Sequence, residues 1–408
     1  MTAAAPGIWS SGAWLTPQRM RFVAAMLLAG TIAALGYLLV TAKGTVDSFG
    51  RPVGTDFSSF WTAGRMALDG HAAAAYDWKS HWAVQKATHG VDLFYPWSYP
   101  PVFLLVTAAL AALPYLPAFL MWQSASLLAV LAVFRAILPQ REALLFALGF
   151  PAVLICFGHG QTGFLTAALL GGGVLMLRRN EIAAGILFGL LVYKPQFGIL
   201  LPFVLAAGGY WRAFVSAAVT VIATITASIA IWGWPVWQAF LESLPLTGKI
   251  VFEAGDTGFE KFQSVFAFAR SVGGPLSLAY GLQAVVTFGA LGACIWIWRS
   301  EAAHRLKAAA LLTAVLLSSP YVLDYDLIAF GLAIALFVAH GLEHGFRPWE
   351  KTVLALAWFS PAVDRAVAGV TFIPLGFLML AAVFLLVVRR VQAEQAAGLT
   401  AVPAGVRG

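Results

Sequence analysis

Acidic side chains are scarce in this chain: 18 Asp and Glu among 408 residues, against 25 Lys and Arg, so only 11% of the sequence is charged. Soluble domains carry about 25% charged and roughly 45–50% apolar residues, whereas here 61% are hydrophobic. So few charges cannot cover a water-facing surface for a chain of this length, which excludes a soluble globular enzyme and a disordered regulator. The sequence pI of about 9.5 does not mark a nucleic-acid binder. The basic residues form no clustered face; they stand in twos and threes at the edges of apolar runs, where membrane helices carry their flanking charges. Cysteine is nearly absent. Cys156 and Cys294 lie inside apolar runs and read as small buried hydrophobes, so neither a disulfide framework nor a metal cluster is supported. A phosphate-cradling Gly-Lys-Ser/Thr loop is missing, which excludes an ATP-driven pump. Zinc-type His/Cys/Asp spacing and a convincing nucleophile elbow are missing too. The first apolar run, 22–40, is too long for the h-region of a cleaved leader and lacks a small-residue cleavage site, so it reads as a first span.

What is present is hydrophobic length. Runs at 22–42, 101–113, 116–138, 142–157, 162–177, 182–208, 212–233, 276–298, 306–323, 326–340, 351–364 and 368–388 predict an all-α polytopic membrane protein of about 11–13 spans, taking about 20 apolar residues per crossing. The run at 182–208 is interrupted by Lys194-Pro195. Broken helices in membranes line cavities, but with one such break and no internal repeat, the inverted-repeat signature of transporters is weak. Two polar stretches interrupt the pattern. Residues 43–98 carry five acids, Asp47, Asp56, Asp69, Asp77 and Asp92, with His71, His81, His89 and many aromatics. Segments 59–69 and 78–89 within it have the spacing of amphipathic interfacial helices. The second stretch, 234–262, holds Glu242, Glu253, Asp256 and Glu260 among Trp, Pro and Gly. Neither is low-complexity, and both read as ordered functional loops. Arg19/Arg21, Arg178/Arg179, Arg299/Arg305/Lys307 and Arg389/Arg390 mark cytoplasmic flanks and put 43–98 on the opposite side. Arg135 and Arg141 carry the same mark, yet two full spans between 101 and 138 would return the chain to the outer side.

The acids can be sorted one by one. Glu142, Glu181, Glu301, Glu343, Glu350 and Glu394 flank spans beside basic residues. Asp56, in Gly54-Thr55-Asp56-Phe57-Ser58-Ser59-Phe60-Trp61-Thr62-Ala63-Gly64-Arg65, lies shortly after the first span and just ahead of an aromatic helix. A carboxylate there sits where a lipid headgroup and an acceptor can meet; its competing explanation is an N-cap. Lys194 stands within an otherwise uncharged run, where an ammonium costs about 2.5–3.5 kcal/mol and faces a polar cavity or partner. It suits a phosphate as a point charge; the alternative is snorkelling at the Pro break. In Gly158-His159-Gly160-Gln161-Thr162-Gly163, His159 and Gln161 can hydrogen-bond a sugar or phosphate, or simply satisfy each other in a membrane turn. Ser318 to Asp326 forms another polar island, able to offer a carboxylate and a phenol or to cap the next helix. Tyr95-Pro96-Trp97-Ser98-Tyr99-Pro100-Pro101 reads as an aromatic belt with a Pro helix start.

In order, these islands resemble glycosyltransferase family 87, the integral-membrane enzymes of GT-C fold whose best-known members are polyprenyl-phosphate-mannose-dependent α-mannosyltransferases. The matching pieces are Asp56-Phe57, Phe60-Trp61-Thr62-Ala63-Gly64, Gly70, Tyr76-Asp77, Tyr99-Pro100-Pro101, Gly160-Gln161, Ala184-Gly185, Lys194-Pro195-Gln196 and Ser319-Pro320, spread over about 22–390. One departure is Leu323-Asp324-Tyr325-Asp326, where relatives often carry a Trp/His-rich stretch. The resemblance implies an inverting hexosyltransferase, with mannose the expected sugar. It would use a polyprenyl-phosphate donor and a glycan or glycolipid acceptor on the non-cytoplasmic face of the plasma (inner) membrane. Asp56 maps onto the general base and Lys194 lies near the donor phosphate. Arg65, Tyr99, His159, Gln161 and Asp326 complete the expected donor site. A GT-C-type helical bundle over 22–390 is expected, with 43–98 as its external loop, a cytoplasmic segment 1–21 and a disordered cytoplasmic tail 391–408. Asp324-Tyr325-Asp326 has the Asp-x-Asp spacing of a nucleotide-sugar metal site but falls at a span end, so neither a metal nor a cofactor is expected. The expected partners are donor, acceptor and membrane lipids, without nucleic acid, for a monomer. A transporter or lipid flippase accommodates the broken span equally well but leaves the carboxylate-bearing external loop unexplained; a scaffold subunit is the third alternative.

Overall fold

The computed structural model describes residues 7–255 and 257–398. The start of the expected 1–21 segment, Asp256 of the second polar stretch, and 399–408 of the expected tail lie outside the described residues. Among those described there is no strand, only isolated bridges. Six helices are long and apolar enough to cross a bilayer: Pro17–Val40, Tyr115–Ile137, Trp211–Trp232, Leu276–Arg299, Asp324–His344 and Leu375–Ala396. Two pairs bent by 55° and 77°, Glu142–Leu148 with Ala152–His159 and Glu350–Ala362 with Asp364–Thr371, bring the number to eight if each is one span. The chain is an all-α multi-pass membrane protein. These are fewer long helices than the 11–13 spans expected, because several apolar runs fold as shorter helices, Pro101–Ala111, Gly163–Met176, Glu181–Tyr193 and Pro195–Ala207. None reaches the roughly 20 residues a crossing takes.

Local chemistry sets the helix starts. Pro17 occupies the first turn of its helix, where a missing N–H costs nothing, and Thr16 accepts from the Arg19 amide. The first span therefore begins five residues before the expected boundary at 22. Asn180 caps Glu181–Gly189 through Ala183 N, and Ser264 caps Val265–Ser271 through Ala267 N. Asp324–His344 is the centre of the bundle, 89% buried over its most apolar window, whereas Pro17–Val40 and Trp211–Trp232 are 11% and 6% buried. The outer helices turn Phe22, Val40, Ile222 and Phe288 outward, an apolar exterior that lipid must cover.

The conflict over Arg135 and Arg141 resolves in this architecture. Only Tyr115–Ile137 is long enough to cross between 101 and 138. Arg21 Nη2 donates to Glu142 Oε1 at 2.5 Å, placing the start of the first span and the end of Tyr115–Ile137 on one side. At the other terminus the Leu375–Ala396 helix continues past the expected boundary at 390. Glu394 Oε1 there accepts from Arg390 Nε at 2.5 Å and lies 2.7 Å from His340 Nε2.

Residues 43–98 form both expected helices, and each packs a face into the protein. Phe57–Leu68 buries nine of its twelve residues, and Trp97, expected in an aromatic belt, is 1% exposed and packs on Phe60 and Phe103. Trp78–His89 starts on an Asp77 cap to Ser80 N and buries its polar stripe, His81, Gln85 and His89. Gln85 pins Tyr95 through both its amide oxygen and nitrogen, and His89 Nδ1 lies 2.9 Å from Thr45 Oγ1. Burial pushes the His81 imidazole down to about 3 and the His89 imidazole down to about 4, from an ordinary 6.5. Between 6.5 and those values the unfolded loop binds protons that the folded loop refuses, so stability rises with pH and is lost on acidification. The loss is up to about 1.4 kcal/mol per pH unit for each imidazole. Protease cleavage within 78–89 is expected to accelerate as pH falls from 6.5 towards 4, with His81→Leu flattening the profile; a pH-independent wild-type rate contradicts this account.

Candidate functional site

The polar breaks of five apolar segments meet in one region. Residues 54–56 follow the first span, 159–162 separate two helices, Lys194 divides a helix, 324–326 open the central span and 364–365 sit at a bend. Two glycines explain how 158–163 enters between its neighbours. Gly160 has φ +67°, and a Cβ there would lie 2.5 Å from Phe57 Cβ and 2.9 Å from Gly54 O. A Cβ on Gly163 would lie 2.1 Å from the Tyr325 carbonyl oxygen. The loop is thus pressed against the Asp56 segment on one side and the Asp324–Leu327 turn on the other. Gly163→Ala is expected to cost about 1–3 kcal/mol by overpacking and to lower activity, because the atom it meets is backbone. Gly158→Ala, with open space around it, is the matched control; equal melting temperatures for both variants overturn this account.

Asp56 occupies the N-cap position of Phe57–Leu68, yet its side chain makes no capping bond. Its Oδ2 accepts instead from Gln161 Nε2 at 2.9 Å. Gln161 is itself held: its Oε1 accepts from Tyr99 OH at 3.0 Å and from Thr162 N at 3.1 Å, while Gln123 Nε2 donates to its carbonyl. This amide cannot flip without losing three bonds, so its NH₂ stays aimed at the carboxylate. The residue before Asp56 is strained: Thr55 has φ +23°, an outlier for a β-branched side chain. Such strain persists where surrounding structure enforces it, and here Thr55 Oγ1 lies 2.8 Å from His159 Nδ1.

Lys194 does not snorkel. The Pro195 that follows disfavours helical backbone at Lys194, which sits at φ −129° and ψ 73° between two short 3-10 turns. Its Nζ donates to Asp326 Oδ1 at 2.7 Å, with the side chains 6% and 1% exposed. The ammonium also lies 5.1 Å from the centre of the Tyr325 ring, within cation–π range. Tyr193, next to it, stacks on Phe103 and is 2.7 Å from Thr166 Oγ1.

The Asp324-Tyr325-Asp326 turn thus holds two cations, Lys194 on Asp326 and Arg365 on Asp324. Arg365 Nε and Nη2 donate to Asp324 Oδ2 at 2.8 and 2.5 Å, and Nη2 lies 3.4 Å from His159 Nε2. Among the described residues no group of three or more His, Cys, Asp and Glu is placed to hold a metal ion. The structure therefore brings Asp56, Gln161, Tyr99 and His159 together, with Lys194 and Asp326 behind the same 158–163 loop. Arg65 is placed elsewhere. It is exposed and forked onto Asp69 at 3.0 and 2.8 Å, one helical turn away on its own helix. Arg365 escaped the sequence reading although it carried a usable signal: Asp364-Arg365 is a charged pair at the break between two apolar runs, the same logic that singled out Lys194.

This is a membrane-embedded helical bundle whose polar breaks converge on a fixed carboxylate flanked by paired cations. The family model described as glycosyltransferase family 87 matches residues 97–320, more than half of the chain, and the chain belongs to that family. It is a membrane glycosyltransferase. The matched stretch contains Tyr99, His159, Gln161 and Lys194, begins after Asp56 and ends before Asp326. No curated protein and no solved structure matches the chain.

Proposed function

We propose that the chain transfers a hexose, mannose in this reading, from a polyprenyl-phosphate donor to a glycan or glycolipid acceptor, inverting the anomeric centre. The non-cytoplasmic face of the plasma (inner) membrane is the proposed site, and 22–390 the catalytic unit. The observation that carries the reading is Asp56: a half-buried carboxylate at a capping position, spent not on its own helix but on Gln161. Its Oδ1 is left to an incoming hydroxyl. As the acceptor oxygen attacks the anomeric carbon, its proton passes to Asp56, and the bond from that carbon to the phosphate oxygen breaks. The lipid phosphate leaves with the electron pair, and its new charge calls for fixed positive charge in a low-dielectric site. Lys194, held on Asp326 at 2.7 Å, is the proposed source of that charge. Tyr99 and Gln161 hold the carboxylate, and His159 holds the strained turn that precedes it.

The test is transfer itself. Purified protein in lipid, given polyprenyl-phosphate [¹⁴C]mannose and glycolipid acceptors, is expected to form a labelled glycoside of inverted anomeric configuration. Product from a nucleotide sugar but none from the lipid phosphate rejects the donor class; retained configuration rejects Asp56 as a general base.

A further inference from the structure

We propose that Arg365 binds the phosphate of the lipid-linked donor directly, with Asp324 and His159 fixing its guanidinium; this rests on the transferase reading above. Two basic side chains lie at the 324–326 turn, and they differ in what they have left to give. Lys194 is 6% exposed and committed to Asp326 at 2.7 Å. The Arg365 side chain is 39% exposed, against 1% for the Asp324 that holds it. Asp324 takes only the Nε–Nη2 edge of the fork, and Nη1 has no hydrogen-bond partner among the described residues. A guanidinium presents five N–H donors in a planar array suited to phosphate. One edge is anchored here and the other is open.

The anchoring gives direction. Because Arg365 donates towards His159 Nε2, that nitrogen must accept, which leaves Nδ1 to carry the proton and donate to Thr55 Oγ1. The guanidinium is thus one imidazole away from the strained residue beside Asp56. A cation in that position meets the leaving oxygen, while Asp56 meets the attacking one. The other nearby acid, Asp364, is fully buried and faces away: a Cβ on Gly376, across the helix packing, would lie 2.7 Å from its Oδ2. It does not compete for the open edge. The bend between Glu350–Ala362 and Asp364–Thr371 brings the arginine to this depth, and a charged residue in such a segment is usually retained for a function.

The experiment uses the full chain in nanodiscs and reads binding apart from turnover. Decaprenyl phosphate, without sugar, is titrated against thermal stability for wild type, R365Q, R365K and the surface control R305Q, with GDP as a parallel ligand. Decaprenyl phosphate is expected to stabilise the wild type and R305Q alike. The half-saturating concentration should rise at least tenfold in R365Q and at least threefold in R365K, which keeps the charge but not the fork. If R365Q does not fold, R365K carries the test on its own threshold. Equal titrations for wild type and the Arg365 variants overturn the proposal, as does a wild type that ignores decaprenyl phosphate. A response to GDP alone places a nucleotide there and overturns the lipid occupant. Donor transfer with an unchanged KM in R365Q sinks this assignment and leaves the transferase reading standing. Arg365-dependent binding without any transfer sinks the donor reading and leaves the anion site standing.

Discussion

Asp56→Asn is expected to lower transfer by about 10²–10⁴-fold, the range a positioned general base contributes, with membrane insertion and melting temperature close to wild type. The separation of the two effects follows from geometry. Asn is isosteric and its Oδ1 still accepts from Gln161 Nε2, so the 2.9 Å contact survives. No capping bond is lost either, because the wild-type side chain makes none. Asp77 supplies the internal contrast. It does cap, accepting from Ser80 N at 2.8 Å, and Asp77→Ala should cost about 1 kcal/mol of loop stability with little change in kcat. On the proposed reading one carboxylate is spent on folding and the other on chemistry, although both precede a helix in the same loop. Parallel kcat and thermal-melt measurements on the two variants decide the matter: a normal kcat in Asp56→Asn, or a stability loss in it as large as that of Asp77→Ala, refutes the role.

How much of this was legible beforehand depends on the kind of information involved. The helical class was written in apolar run length, and the Lys194-Pro195 break was visible because proline restricts the residue before it. Asp56 could be singled out by position, but capping and catalysis give it the same sequence signature; that it bonds Gln161, 105 residues away, and does not cap its own helix is visible only in the fold. Hydropathy measures apolar content rather than length between bends, so the apolar runs 162–177 and 182–208 fold as helices shorter than a single straight crossing. Arg65 was expected at the donor as a cation, yet on its helix it pairs with Asp69 four residues on. Asp324-Arg365 is the reverse case, two charges 41 residues apart that only the fold brings together. Long-range pairing of charged residues is what a single sequence does not display.

Lys194→Met is expected to be the most damaging substitution to the fold itself. Losing one member of a buried ion pair costs about 3–5 kcal/mol, because the remaining charge is stranded. Asp326 is 1% exposed and would keep only the Leu323 amide, at 3.2 Å. The double variant Lys194→Met/Asp326→Leu removes both charges, and replacing a buried pair by apolar groups of similar volume is often neutral or stabilising. Its melting temperature should therefore return to near the wild-type value. Activity should not return with it. If Lys194 contributes fixed positive charge beneath the leaving phosphate, the refolded double variant still lacks that charge, and its donor KM should rise by at least tenfold while acceptor KM holds. A pair that served only packing would give the opposite result, with fold and donor KM restored together. The outcome also bears on the departure at Leu323-Asp324-Tyr325-Asp326. In this chain the two acids of that turn each fix one cation, Asp326 holding Lys194 and Asp324 holding Arg365. Neutralising Asp326 alone, as Asp326→Asn, leaves the Lys194 ammonium, 6% exposed, without its counter-charge, and should cost a comparable amount, about 3–5 kcal/mol.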